Sequence, residues 1–180
     1  VNRTSTLPEP DTEAAIAAID AMPAIEEIRA LTAMTDKEAA KEQLASYRAL
    51  VSAARRAYNR VTDSAQLAFI TRANDLFATE AAVREVRKAF GETVSIADLL
   101  VSHSPDKLTY VDGEYFDATG LRLTVVYDDG SRDEVSEGFV LPTTPLKAGQ
   151  QTVTFTYAGV SKTISVVVNR NPNVNPDPSD

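Results

Sequence analysis

Apolar positions recur at helical intervals in the first half of this chain and at every second residue in the second half. Leu44, Tyr47, Val51, Ala54, Tyr58 and Val61 advance by 3, 4, 3, 4 and 3 residues, which is one seam of a packed helix. Thr35 and Glu38 stand at capping-box spacing and predict its start. Upstream, Ile16 and Ile19 share the face of a helix that begins near Asp11 or Thr12 and stops before Pro23. Ile25, Ile28 and Leu31 keep helical spacing through a short second piece. Downstream, Asp63 and Gln66 offer another capping pair. Leu67, Ile70, Leu76 or Phe77, Val83, Val86 and Phe90 then mark a further helix. Its seam slips around residues 74–79, where a break is expected, and Gly91 is a natural stop. Three antiparallel helices with short loops make a three-helix bundle over residues 11–91.

From Ile96 the period becomes two. Leu121, Leu123, Val125 and Tyr127 alternate with Arg122, Thr124 and Val126. Val153, Phe155 and Tyr157 alternate with threonines, and Ile164, Val166 and Val168 follow with Thr163, Ser165 and Val167 between. Each run reads as a strand with one buried face. Asp129-Gly130 and Ala158-Gly159 sit between such runs, where tight hairpins need positive φ. Several short strands at regular spacing predict an antiparallel β-sandwich over residues 95–168. The fold class is therefore α + β as two separate domains.

Composition sharpens that division. All seven glycines lie at or after Gly91, while alanine crowds the stretch before it; glycine weakens helices and alanine favours them. The net charge of −8 divides as well. Through Gly91 there are 12 Lys/Arg against 13 Asp/Glu, and from Glu92 onward 6 against 13. The acid excess argues against a nucleic-acid partner. Without cysteine there is no disulfide framework, thiolate metal site or cysteine nucleophile. No apolar run is long enough to span a membrane. Residues 1–10 and 169–180 are polar and proline-bearing and read as linkers, which suggests a piece of a longer modular chain.

Two resemblances follow from particular residues. The run Tyr110-x-x-Gly113-x-x-Phe116-Asp117-x-x-Gly120-Leu121 is followed by Tyr127-Asp-Asp-Gly130. Later come Gly149-x-x-x-Val153-x-Phe155-x-Tyr157-x-Gly159 and the strand Thr163 to Val168. In order and spacing this set, from Ile96 to Val168, resembles the bacterial immunoglobulin-like domain of group 3. That resemblance implies a compact Ig-like sandwich without an intersheet disulfide, repeated in secreted and cell-surface proteins. The pattern R-x-A-Y-N-x-V-T-D-x-x-Q from Arg55 to Gln66 is similar to small helical modules repeated in surface proteins of Gram-positive bacteria.

Candidate chemistry is sparse. Asp112, Glu114 and Asp117 form one acidic cluster and Asp128, Asp129 and Asp133 another. Neither has EF-hand spacing, so turn and surface roles are expected and no metal is assigned. His103, the one histidine, reads as strand filler, and Ser102 and Ser104 beside it lack a nucleophile elbow. A di-metal bundle needs inward Glu-x-x-His pairs, which no histidine supplies. Glu26, Glu27, Glu80 and Glu85 read as solvated faces, and Arg48, Arg55 and Arg56 as facing solvent or the rim of the seam. That arginine cluster is also the place where an acidic partner could dock. Tyr115 is the best outward aromatic for a ligand, because its neighbour Phe116 reads as buried. Lys107, Lys147 or Lys162 could be paired with Asn169 as an isopeptide bond of the kind found in some Gram-positive surface domains, but such bonds need a buried acid.

The sparse chemistry predicts a non-catalytic region, and the resemblance implies a structural or spacer role in a larger secreted or cell-surface bacterial protein. No cofactor, catalytic residue or nucleic acid is expected. Its partners would be neighbouring domains of the same chain, and the piece would be monomeric. The alternatives are an adhesion or ligand-binding module, for a cell-wall glycan or a host surface protein, and an accessory region of an extracellular glycan-active enzyme.

Overall fold

The computed structural model describes residues 7–172. Of the linker expectations, residues 1–6 and 173–180 lie outside the described residues. The chain divides into two compact units. The first runs up to Ala97 and takes in Val126–Asp133; the second holds Asp98–Val125 and the residues from Glu134 on.

The helices of the first unit are α1 (Pro10–Asp20), α2 (Ile25–Ala30), α3 (Lys37–Arg60), α4 (Ser64–Leu67) and α5 (Ala73–Ala89), with a 3₁₀ turn at Leu31–Ala33. Pro10 opens α1, where its missing N–H costs nothing, and Asp11 and Glu13 face the positive end of the helix dipole. The start of α3 departs from the expected capping box. Asp36, not Thr35, is the cap, and its Oδ1 accepts the amides of Glu38 and Ala39 at 3.1 and 3.0 Å. Asp63 caps α4 in the same way, through the Ala65 amide at 2.7 Å. Gln66 does not cap. It is 3% exposed, and its Oε1 accepts Thr12 Oγ1 and the Glu9 amide, both at 2.9 Å, tying α4 to the start of α1.

The break in the last helical stretch falls between Leu67 and Ala73, earlier than the slipped seam at 74–79 suggests. Short-range bonds such as Ile70 N–H to Leu67 O, at 3.0 Å, replace the helical pattern there. Residues 74–79 then lie inside α5, with Leu76 wholly buried. α1 packs on α3, α2 on α5, and α3 on α5. Ile19, Ile28, Leu44, Val51, Leu76, Val83 and Val86 form the shared core. Each such side chain contributes ~1.5–3 kcal/mol by leaving water.

The strands are β1 (Ile96–His103), β2 (Thr109–Val111), β3 (Arg122–Tyr127), β4 (Arg132–Val135), β5 (Phe139–Val140), β6 (Thr152–Tyr157), β7 (Val160–Ser165) and β8 (Val167–Asn169). They form sheets of order β1-β3-β4, β2-β8 and β5-β6-β7. The alternation of the sequence places Leu121, Leu123, Val125, Val153, Phe155, Val166 and Val168 in the interior of the second unit, as expected, but Thr124, expected on the polar face, is buried as well. Phe116 stacks on Phe155 at 6.4 Å, and Phe139 meets Phe155 edge-on at 5.8 Å.

The run from Ile164 to Val168 is not one strand. β7 pairs antiparallel with β6, then β8 pairs parallel with β2, with Thr109 opposite Val167 and Val111 opposite Asn169. At the changeover Val166 donates to Gln151 O and Val167 to Leu108 O, each at 2.9 Å. One alternating run thus serves two sheets, as strands at sandwich corners do.

Tyr157 faces Val160 across a two-residue turn in which Ala158 has φ 47° and Gly159 φ 83°. Both signs suit the hairpin twist, but a Cβ at positive φ costs ~1–2 kcal/mol. Asparagine tolerates that conformation without glycine's added unfolded-state entropy. Ala158→Asn should therefore stabilise the second unit by about 0.5–1 kcal/mol and raise its melting temperature by a few degrees. Thermal denaturation followed by circular dichroism checks this, and an unchanged or lowered midpoint contradicts it.

Candidate functional site

The densest polar arrangement among the described residues lies in the first unit, where α3 and α5 bury charges that the sequence suggested would be solvated. Glu80 on α5 is 1% exposed and Arg55 on α3 is 4% exposed. They meet fork to fork, with Arg55 Nε to Glu80 Oε1 and Nη2 to Oε2 both at 2.7 Å. Glu80 Oε2 also accepts the Arg132 amide at 3.0 Å. The Arg55 guanidinium sits 4.6 Å from the centre of the Phe77 ring and 5.4 Å from that of Tyr58, and cations are attracted to such ring faces. The expectation for Arg55 and Glu80 is thus corrected. Arg56, Glu26, Glu27 and Glu85 do face solvent, and Arg48 is half-buried against Glu92 at 3.3 Å.

Two more arginines of α5 are buried beside this pair. Arg84 donates to Ser131 Oγ at 2.9 Å, lies 3.6 Å from Asp133, and covers the Tyr127 ring at 4.1 Å. Arg87 donates to Glu92, Asp128 and Asp129, each at 2.9 Å, and to the Thr93 carbonyl at 3.3 Å. Burial works against the charge of Arg87, but its bonds to Asp128 and Glu92, with Asp129 adding attraction, raise its pKa above the ordinary arginine range. Asp128 is held below the usual carboxylate range, chiefly by its bond to Arg87. The second acidic cluster of the sequence is therefore turned toward guanidinium groups. Asp129 also caps its own turn by accepting the Ser131 amide at 2.9 Å.

Arg84 and Arg87 carry no expectation from the sequence and Glu80 the wrong one, although one signal is available. Leu76, Glu80, Val83 and Arg87 advance by 4, 3 and 4 residues, so two charges occupy seam positions of α5. A cleft of about 170 Å³ opens beside the Arg55–Glu80 pair. Arg48, Ser52, Arg56, Asn59 and Ser131 are among the residues that line it. It offers guanidinium, amide and hydroxyl donors, while its two carboxylates, Glu80 and Asp129, are bound to Arg55 and Arg87.

In the second unit the acids do not converge. Asp112 Oδ1 accepts the Ala148 amide at 3.0 Å, and Asp117 Oδ1 takes the Thr119 hydroxyl and amide at 2.7 and 2.9 Å. Glu114 takes Lys107 Nζ and the Val111 amide, both at 2.8 Å. Those bonds hold Glu114 and Asp117 below the ordinary carboxylate range, through the Lys107 ammonium and the Thr119 hydroxyl first. Among the described residues no group of three or more His, Asp or Glu could hold a metal ion. His103 is exposed and its Nδ1–H donates to Gly120 O at 2.9 Å; Ser102 donates to Glu134 at 2.8 Å. Lys107 faces Glu114, while the Asn169 carbonyl accepts the Asp112 amide at 2.8 Å. Tyr115 is 60% exposed.

The residues that carried the family resemblance hold this unit together. The Tyr110 hydroxyl donates to Lys107 O at 2.8 Å and accepts the Asp117 amide at 3.2 Å, and the ring packs on Phe116. Gly120 has φ +83°, and a Cβ there would lie 2.2 Å from Asp106 Oδ1.

Residues 103–168 match the family model of the bacterial Ig-like domain (group 3), which bears out the resemblance read from the motif residues over that span. A solution structure described as that of "a putative surface protein" is 28% identical, covering 48% of this chain and all of the other, with a TM-score of 0.25. No curated protein matches the chain. No helix among the described residues is long and apolar enough to cross a membrane.

Removing one partner of a buried ion pair leaves an uncompensated charge, at ~3–5 kcal/mol, whereas replacing both with apolar groups is often near neutral. Glu80→Ala should therefore cost ~3–5 kcal/mol by chemical denaturation, and Arg55→Met with Glu80→Leu distinctly less. Equal losses would contradict the pairing.

A lowered folded-state pKa makes Asp128 stabilising above the unfolded carboxylate value. That contribution disappears as pH falls through the folded-state value. Melting temperature measured from about pH 5 down to about pH 2 should fall less steeply in Asp128→Asn than in the unaltered chain. Asp128→Asn should also be the less stable of the two at neutral pH, and parallel curves would argue against the Arg87 contact.

Proposed function

We propose that this chain is a non-catalytic structural region of a larger secreted or cell-surface bacterial protein. It spaces and presents neighbouring domains, with polar linkers at residues 1–10 and 169–180, a helical module at 11–91 and an Ig-like sandwich at 95–168. The observation that carries the reading is the family match at residues 103–168, taken with what the motif residues do. Tyr110, Phe116, Asp117 and Gly120 are each engaged in packing or in turn bonds. A fold supports many functions, so the reading rests on what these side chains bind. An extracellular, wall-associated location and a monomeric state belong to the same proposal.

The cleft beside Arg55 and Glu80 favours a second reading, a module that binds an acidic ligand, because Arg56 and Asn59 present donors at its rim.

Functional replacement separates the two. In the parent protein, an unrelated rigid segment of equal length takes the place of this one. Retained surface display and retained activity of the neighbouring domains are the expected outcome. A specific glycan or host protein captured by the isolated chain, and lost in Arg56→Glu, would overturn the spacer reading in favour of the binding module.

A further inference from the structure

The second unit has a feature that spacing alone does not require. Its second strand and its last strand lie side by side and run parallel: Thr109, Tyr110 and Val111 of β2 stand opposite Val167, Val168 and Asn169 of β8. The ladder continues past both ends of β2, through Val167 N–H to Leu108 O at 2.9 Å and Asp112 N–H to Asn169 O at 2.8 Å. On its other side, Val168 O accepts the Gly149 amide at 3.0 Å. Tyr110 and Val168, at the middle of the pair, are 1% and 6% exposed, so water has little access to the bonds between them.

Consider a pull applied along the chain. Once β1 is drawn off, tension reaches β2 at its leading end, Thr109. It leaves through Asn169, the trailing end of β8. Because the strands are parallel, these points lie at opposite ends of the ladder. The evenly spaced bonds of a parallel pair are then loaded together and in shear. Had the strands been antiparallel, the two points would share one end, and the bonds would open one after another. Forced unfolding is governed by the unfolding rate, so this difference in loading sets how long the unit survives tension. With no cysteine in the chain, no disulfide shares the load.

We propose that the second unit bears tension, with the parallel β2–β8 pair as its mechanical lock. The proposal rests on strand topology and holds whether or not the chain acts as a spacer.

The test is single-molecule pulling on the full chain, and the lack of native cysteine makes attachment points simple to choose. One form carries cysteines at the two chain ends and loads the pair in shear. The other carries Tyr115→Cys and Asn171→Cys, both near the trailing end of the pair, so that the same bonds open serially. The force needed to unfold the second unit should be severalfold higher in the first form; equal forces overturn the proposal.

Two variants separate mechanics from thermal stability. Val167→Pro removes the bond to Leu108 at a side chain that is 56% exposed. Val153→Ala opens a cavity in β6, outside the lock. Both should lower the melting temperature, but only Val167→Pro should lower the end-to-end unfolding force. A force loss that simply follows melting temperature would overturn the lock. Should Val167→Pro fail to fold, the two attachment geometries still decide.

Discussion

Burying a carboxylate is costly unless donors and a cation surround it, and Glu80, 1% exposed, imposes that condition on the first unit. Both its oxygens are taken by Arg55, and one also receives the Arg132 amide. From one point on α5 this fixes the rotation of α3 and the position of a turn far away in sequence. Glu80, Arg84 and Arg87 follow one another at intervals of four and three residues, which places them on one face of the helix. Arg84 and Arg87 face the same turn as the Arg132 amide. The Coulombic gain of a buried pair roughly offsets its desolvation. What the arrangement adds is a penalty on any packing that parts the charges, so it selects one register of helices and turn.

The second unit reaches a single structure by other means. Its interior is mostly apolar and aromatic, and the hydroxyl of buried Tyr110 reaches backbone on both sides of the Phe116 segment. What fixes the chain is the conformation its turns demand. Gly120 cannot accept a Cβ without displacing the Asp106 carboxylate. Val166 is buried at the point where one run of alternating residues leaves β6 and joins β2. A register slip of one residue would turn Val166 and Val168 outward together, so both sheets constrain the same register.

Much of this was legible in the sequence, for a reason that can be stated. Periodicity records burial, and burial was read correctly at Val51, Leu121, Leu123, Val153 and Phe155. Turn glycines record backbone geometry, and every glycine described has positive φ. Local caps were half legible. Thr35 and Asp36 both suit an N-cap, and spacing to Glu38 favoured the one that the structure does not use. The parallel pairing of β2 and β8 left no trace, because a three-residue strand reads alike in either direction. The buried charges were the larger omission. Arg55 and Glu80 look like surface residues one at a time; they become recognisable only as opposite charges on two facing seams, and which seams face each other is a tertiary fact.

The charge distribution shows what that omission concealed. Divided at Gly91, the chain looks like a near-neutral helical half before an acidic one. Divided by compact unit, it holds 13 Lys/Arg against 17 Asp/Glu in the first and 5 against 9 in the second, a net of −4 in each. The difference comes from Glu92 and the segment Val126–Asp133, which brings Asp128, Asp129 and Asp133 to the arginines of α5. Acids that look like a surplus along the chain are counterions in space. Their position in sequence follows from the strands that carry the turn, and their chemistry follows from the helix that needs them. An excised helical segment ending at Gly91 would leave Arg84 and Arg87 without those partners, so the helices alone are not equivalent to the unit they belong to.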